Sequence, residues 1–121
     1  MNIEFIKFHG LGNDFILIDD RDKNQIPPLN PDFSSFVKQW CNRHTGVGAD
    51  GVLLLTSSQL AQTRLHIFNA DGSRPEMCGN GIRCVAKYLV DRDNAAVSVW
   101  IETDAGVLLC KTQGAPVVQV E

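Results

Sequence analysis

The sequence predicts one α+β domain over residues 1–121, with seven short strands and two helices. Three observations lead there. Short apolar runs recur between turns rich in Gly, Asn, Asp and Pro. Two longer segments repeat apolar residues at helical spacing. The strands fall into hairpin-like pairs, which argues against a doubly wound parallel sheet.

Taken in order, Ile3 to His9 alternates and Phe15-Ile-Leu-Ile-Asp19 is a compact apolar run, so both read as strands. Gly10-Leu-Gly-Asn-Asp14 between them reads as a turn, and Asp20 to Pro28 as a polar loop ending in a proline pair. Asn30-Pro31 opens a helix, with Asn as N-cap, Pro at the first helical position and Asp32 in the first turn. Phe33, Phe36, Val37, Trp40 and Cys41 then form its apolar stripe, and Cys41 is read as a small buried hydrophobe. Asn42 to Gly51 ends that helix. Val52 to Thr56 and Arg64 to Asn69 read as strands, followed by a turn at Asp71-Gly72. A second helix starts at Gly79 or Asn80. Ile82, Cys84, Val85, Ala86, Tyr88, Leu89 and Val90 make it apolar on more than one side, as a central helix would be. Val97 to Thr103, Gly106 to Thr112 and Val117 to Val120 complete the strands.

Composition narrows the function classes. A hydrophobic fraction of 44% and a charged fraction of 21% are those of a soluble globular domain. The net charge of −3, with no long run of one sign, gives a nucleic-acid or anionic-membrane partner no electrostatic support. No apolar run approaches the roughly 18 residues of a membrane span. Met1-Asn2-Ile3-Glu4 lacks the basic start and apolar core of a secretory signal, so a cytoplasmic location is expected, or a plastid one if a transit peptide was removed. The four cysteines, Cys41, Cys78, Cys84 and Cys110, include no Cys-x-x-Cys pair, so reduced thiols are expected, and neither disulfides nor a zinc site.

The chemistry concentrates in Phe68-Asn-Ala-Asp-Gly-Ser73 and Met77-Cys-Gly-Asn-Gly81. A cysteine at a helix start lies near unpaired N–H groups and the positive end of the dipole, and both favour the thiolate. The N–H groups of Gly79, Asn80 and Gly81 can hold a carboxylate. A thiolate beside a carboxylate cradle suits removal of a proton next to that carboxylate. The alternative for Cys78 is a buried cysteine in a glycine turn. Asn13 and Asn69 each stand at a glycine-bearing turn and offer both a donor and an acceptor to an amino acid, or else make local Asx turns. His44, after the helix end, reads as a cap or as a catalytic group. His9 and His66 read as packing or surface residues, and Arg64 and Arg83 as solvated or salt-bridged. Gly46-x-Gly48-x-x-Gly51 spells a dinucleotide-type pattern, but it follows a helix and precedes a strand, the reverse of the required context.

Together, Phe8-His-Gly-Leu-Gly-Asn-Asp-Phe15, Arg43-His-Thr-Gly-Val-Gly-Ala-Asp-Gly51, Phe68-Asn-Ala-Asp-Gly-Ser73 and Met77-Cys-Gly-Asn-Gly-Ile-Arg-Cys84 resemble the diaminopimelate epimerases, in that order and spacing. The resemblance covers the N-terminal half of the family's usual length. It implies one half of a pseudo-symmetric fold, with a curved, mostly antiparallel sheet around a central helix. The implied activity is interconversion of LL- and meso-diaminopimelate, late in lysine and cell-wall precursor synthesis, without metal, pyridoxal phosphate or nucleotide cofactor. It also implies two cysteines, one from each half: a thiolate that takes the α-proton and a thiol that returns one on the opposite face.

By the same resemblance, Cys78 is the N-terminal member of the pair, Asn13 and Asn69 hold the substrate, and Gly79 and Asn80 supply contacts at the helix start. At Gly51 many relatives carry a Gln that touches substrate, and the glycine here removes that side chain. Proline racemases share Met-Cys-Gly but follow it with His, so Asn80 points to the diaminopimelate branch. Phenazine-biosynthesis isomerases share the fold without this cysteine. Cys41, Cys84 and Cys110 lack the Cys-Gly-x-Gly turn of the family's second cysteine. The expected partners are therefore diaminopimelate and the C-terminal half of the same enzyme. Self-association into a homodimer through an unpaired sheet edge is a further expectation. The competing reading is a non-catalytic amino-acid-binding or assembly module, inactive alone.

Overall fold

The computed structural model describes residues 3–10, 12–23, 25–26, 31–75, 79–93, 98–112 and 118–120. Its elements are β1 (Ile6–Gly10), β2 (Asn13–Asp19), α1 (Pro31–Cys41), β3 (Gly51–Thr56), β4 (Thr63–Asn69), α2 (Gly79–Asp93), β5 (Ser98–Thr103), β6 (Gly106–Thr112) and β7 (Val118–Val120). All the strands join one sheet in the order β1-β2-β3-β4-β5-β6-β7. The pairs β1–β2, β3–β4, β5–β6 and β6–β7 are antiparallel. The two remaining junctions, β2–β3 and β4–β5, are parallel. A helix crosses over at each of them, as a parallel connection requires. The result is the α+β architecture that the hairpin pairing predicts.

The helices lie on opposite faces of the sheet. Phe15, Leu17, Leu53, Leu55, Leu65 and Ile67 pack with α2, whereas Ile16, Ile18, Val52, Leu54 and Phe68 pack with Phe33, Val37 and Cys41 of α1. Strands β2 to β4 are thus covered on both sides. That is why β2 and β3 carry continuous apolar runs, Phe15 to Ile18 and Val52 to Leu55, whereas β4 keeps Arg64 and His66 among its apolar residues. Strand β5 is covered on one side only and alternates, with Val99 and Ile101 buried and Trp100 exposed. Full burial of a single Leu or Val stabilises by about 1.5–3 kcal/mol, so β3, with Val52 to Leu55 all buried, is a principal stabilising element.

Helix α2 is central, as its composition predicts. Ile82, Cys84, Val85, Ala86, Tyr88 and Leu89 are all buried. It touches β1 and β2 at one end of the sheet and β5, β6 and β7 at the other. A single helix can do that only if the sheet curves around it. The buried Tyr88 hydroxyl donates to Asp19 Oδ2 at 2.8 Å, which satisfies its polar end.

Two strand starts differ from expectation by more than one residue. The first strand starts at Ile6, not Ile3, because Ile3 packs toward the α1 cluster instead of extending the ladder. The predicted turn at 10–14 is tighter, since the ladder runs on to the Gly10↔Asn13 pair and makes Asn13 the first residue of β2. The predicted cap at Asn30 lies outside the described residues. Asp20, expected in a loop, is buried, and its carboxylate accepts from the N–H groups of Gln25 at 3.1 Å and Ile26 at 2.9 Å.

Candidate active site

Three ladder ends meet at one edge of the sheet. Asn13 starts β2, Gly51 starts β3 and Asn69 ends β4. Phe15 pairs with Gly51, and Gly51 with Asn69. Two ladder spacings therefore separate β2 from β4, about 10 Å. The start of α2 reaches the same edge, where Asn80 Nδ2 donates to Asn13 Oδ1 at 2.6 Å. Of the residues singled out in the sequence, Asn13 and Asn80 touch, and Asn69 lies across the same edge.

Gly79 is the first residue of α2. A Cβ built on it would meet nothing within 4 Å, so the helix start faces open space. The first N–H groups of any α-helix lack intrahelical partners, and no acidic side chain in the first turn offsets their positive potential. This end of α2 can receive an anion. Cys78, the residue before it in the sequence, lies outside the described residues.

Asn69 is exposed and held in a local turn. Its N–H donates to Ser73 O at 2.7 Å, its Nδ2 to Ser73 Oγ at 3.0 Å, and its carbonyl accepts from Gly72 at 2.9 Å. The Asx turn here is made by Asp71, whose Oδ1 accepts the Ser73 N–H at 2.9 Å, while the Asn69 side chain braces that turn as a donor.

Sequence reasoning missed what fixes Asn13. Asn13 Nδ2 donates to Asp50 Oδ2 at 3.2 Å, and the Asp14 N–H donates to the same oxygen at 2.9 Å. The Asp50 N–H returns bonds to Asp14 O at 2.9 Å and Asp14 Oδ1 at 3.2 Å. Arg43 clamps both carboxylates, lying 2.8 Å from Asp14 Oδ1 and 3.3 Å from Asp50 Oδ1. Lys7 approaches Asp14 Oδ2 at 3.0 Å and also donates to the Gly48 carbonyl. The Arg43 guanidinium, aided by Lys7, holds the Asp14 carboxyl well below the usual carboxylate range despite partial burial. Arg43 thus pins the loop after α1 to the start of β2. His44 takes part only through its N–H, which donates to Asn42 Oδ1 at 2.8 Å; its side chain is exposed.

The glycines of that loop serve packing, not a dinucleotide. The N–H groups of Gly46 and Gly48 donate to Asn42 O and Trp40 O, both at 2.9 Å, and so close the carbonyl end of α1. A Cβ on Gly46 would stand 2.2 Å from Gln39 O, and one on Gly51 would stand 2.4 Å from Phe68 O. Position 51 carries no side chain because β4 backbone occupies its space.

A second polar cluster anchors the segment that leads to α2. Arg74 Nη2 donates to His66 Nδ1 at 2.9 Å and to Asp104 Oδ2 at 3.1 Å, with its guanidinium over the Phe68 ring. A guanidinium only donates, so His66 Nδ1 is the acceptor and its Nε2–H donates to Thr56 Oγ1 at 3.1 Å. Burial, then Arg74 and Arg64, push the His66 pKa down to about 4, so the ring is neutral at pH 7. Arg64 pairs with Glu102 and Asp104, the salt-bridged role anticipated for it, and His9 is on the surface. Cys41, Cys84 and Cys110 are buried. Burial raises the Cys41 thiol and pushes Cys110 up to about 11, which keeps both protonated and unreactive.

A sheet curved around one helix, with the helix start opening beside the strand ends, has counterparts of the same fold among solved structures. The backbone superposes on a hydroxyproline epimerase from Agrobacterium vitis, solved with trans-4-hydroxy-L-proline, with a TM-score of 0.68 at 16% identity over 93% of this chain and 37% of that one. A phenazine biosynthesis protein of the PhzF family from Bacillus anthracis gives 0.62 at 21% identity over 90% of this chain and 34% of that one. At these identities the likeness is one of fold. The sequence goes further. The diaminopimelate epimerase family model matches residues 5–120, and the chain belongs to that family. It is 50% identical over 111 residues to the diaminopimelate epimerase of Synechococcus elongatus, covering 90% of this chain and 38% of that protein. With the enzyme of Carboxydothermus hydrogenoformans it shares 45% over 107 residues, again covering 38% of the relative. The chain thus spans about two fifths of the curated relatives it matches, at their N-terminal end.

Proposed function

We propose that this chain supplies the N-terminal cysteine half of a cofactor-independent epimerase that converts LL-diaminopimelate to meso-diaminopimelate. The observation that carries the reading is the Asn80–Asn13 bond of 2.6 Å beside the open start of α2, one residue after Cys78. In this reading the N–H groups of Gly79 and Asn80 take the substrate α-carboxylate. Asn13 and Asn69 hold its amino acid group through amide donors and acceptors. The Cys78 thiolate accepts the α-proton, and the carbanionic centre is reprotonated on the other face by a thiol. Burial of Cys41, Cys84 and Cys110 supports a second thiol from outside these 121 residues.

The test is a chimaera in which this chain replaces the matching N-terminal part of the Synechococcus elongatus relative. Epimerisation with uptake of solvent deuterium at the α-carbon is expected, and Cys78→Ala should abolish it. An inactive wild-type chimaera that is nonetheless folded, or a Cys78→Ala chimaera within a few-fold of the parent, overturns the reading. The isolated 121-residue chain should show no turnover.

A further inference from the structure

We infer that Asp50 is a positioning residue, which fixes the amide of Asn13 so that Asn13 and Asn80 present one defined pattern of donors and acceptors to an amino acid. The inference rests on the substrate reading above and deepens it. An amide can be turned over with little change of shape, so a lone Asn13 could present either end to a ligand. Asp50 removes that freedom. Its carboxylate, paired with Arg43 at 3.3 Å, can only accept, so the group 3.2 Å away must be Asn13 Nδ2. Oδ1 of Asn13 then faces Asn80, and at 2.6 Å only Asn80 Nδ2 can donate to it. The orientation of Asn80 follows from that of Asn13.

The chain of three side chains sets what remains for a ligand. Asn13 keeps one N–H of its Nδ2, and Asn80 keeps its Oδ1 and one N–H. An N–H pair beside the open helix start suits a carboxylate, and a carbonyl oxygen suits an ammonium. The pattern fits the head of an α-amino acid. Turning both amides over would exchange the two ends and set an oxygen against the carboxylate. Asp50 is also tied to the β2 backbone through the Asp14 N–H at 2.9 Å, so the carboxylate that orients Asn13 is itself fixed.

The experiment uses the 121-residue chain labelled with nitrogen-15. Asp50→Ala should move the side-chain amide resonances of Asn13 and Asn80 while the backbone signals of β3 and α2 stay native. Affinity for diaminopimelate should fall about ten-fold, the loss expected for one oriented hydrogen bond. A second variant tests the polarity itself. Asp50→Asn keeps the shape but is no longer acceptor-only, so it should release the fixed orientation of Asn13 and shift the side-chain amide resonances of Asn13 and Asn80. Unchanged Asn13 amide signals in a folded Asp50→Ala chain overturn the inference. If that variant does not fold, unchanged Asn13 amide signals in Asp50→Asn do so. Failure of the parent chain to bind diaminopimelate counts against the substrate reading alone, because the amide signals still decide the role of Asp50.

Discussion

Asn80 Nδ2 donates to Asn13 Oδ1 across 2.6 Å, which ties the first turn of α2 to the first residue of β2. The two residues are far apart in sequence, so the bond is a product of the fold. It should be measurable as a coupling. In urea unfolding, each of Asn13→Ala and Asn80→Ala should cost about 1 kcal/mol, and the double variant less than their sum by about 0.5–1.5 kcal/mol. Strict additivity would show that the two amides do not interact in solution.

His66 makes stability depend on pH in a definable window. Its pKa is about 4 in the fold and near 6.5 in an unfolded chain, so between those values the unfolded state binds the extra proton. The neutral ring's contribution is complete above about 6.5 and is lost as pH falls toward 4, with a slope of at most about 1.4 kcal/mol per pH unit. The carboxyls of Asp14 and Asp19 are lowered below 3.8, so their losses follow only in stronger acid. Urea midpoints at pH 7 and 4.5 should therefore differ clearly for the parent and much less for His66→Gln. Equal differences would remove His66 as the cause.

Much of this architecture was legible in the sequence, because burial writes itself into spacing. The α1 stripe and the multi-sided apolar surface of α2 are local patterns, and both helices lie where those patterns put them, although of the stripe Phe33, Val37 and Cys41 are buried, Trp40 only partly so, and Phe36 is exposed. The apolar run Val52 to Leu55 read as a strand, but its burial on two faces and the strand parallel to it emerge only from the assembled sheet. The clamp of Arg43 on Asp14 and Asp50 was illegible for a different reason. Its members lie in separate motifs, and only the β2–β3 pairing brings Asp14 beside Asp50. Likewise Gly51 reads in sequence as a missing side chain, and only the register shows what fills its place.

That register makes Gly51 a test of β3–β4 packing. A Cβ there would stand 2.4 Å from the backbone oxygen of Phe68, which cannot rotate away as a side-chain tip could. Gly51→Ala should force the two strands apart at the site edge and cost about 1–3 kcal/mol, as overpacking in a tight interior does. The Asn69 signals, paired with Gly51, should shift in the same variant. A stability unchanged within a few tenths of a kcal/mol would mean that the strands already stand further apart in solution.

The four thiols should separate cleanly by reactivity. Alkylation follows the thiolate fraction and access. Cys41 and Cys110 fail on both counts, since burial shields them and raises their pKa, to about 11 for Cys110; Cys84 is shielded by burial. Cys78 immediately precedes a helix start that carries no acid in its first turn, where a thiolate would be favoured. Iodoacetamide at neutral pH should therefore label the folded chain once, at Cys78, and all four sites only in denaturant. Peptide mass mapping reads the outcome. Rapid labelling of Cys41 or Cys110 in the folded chain would contradict their burial. A Cys78 no more reactive than a free cysteine would leave the thiolate without its helix-start activation, and the proton-abstraction reading without its base.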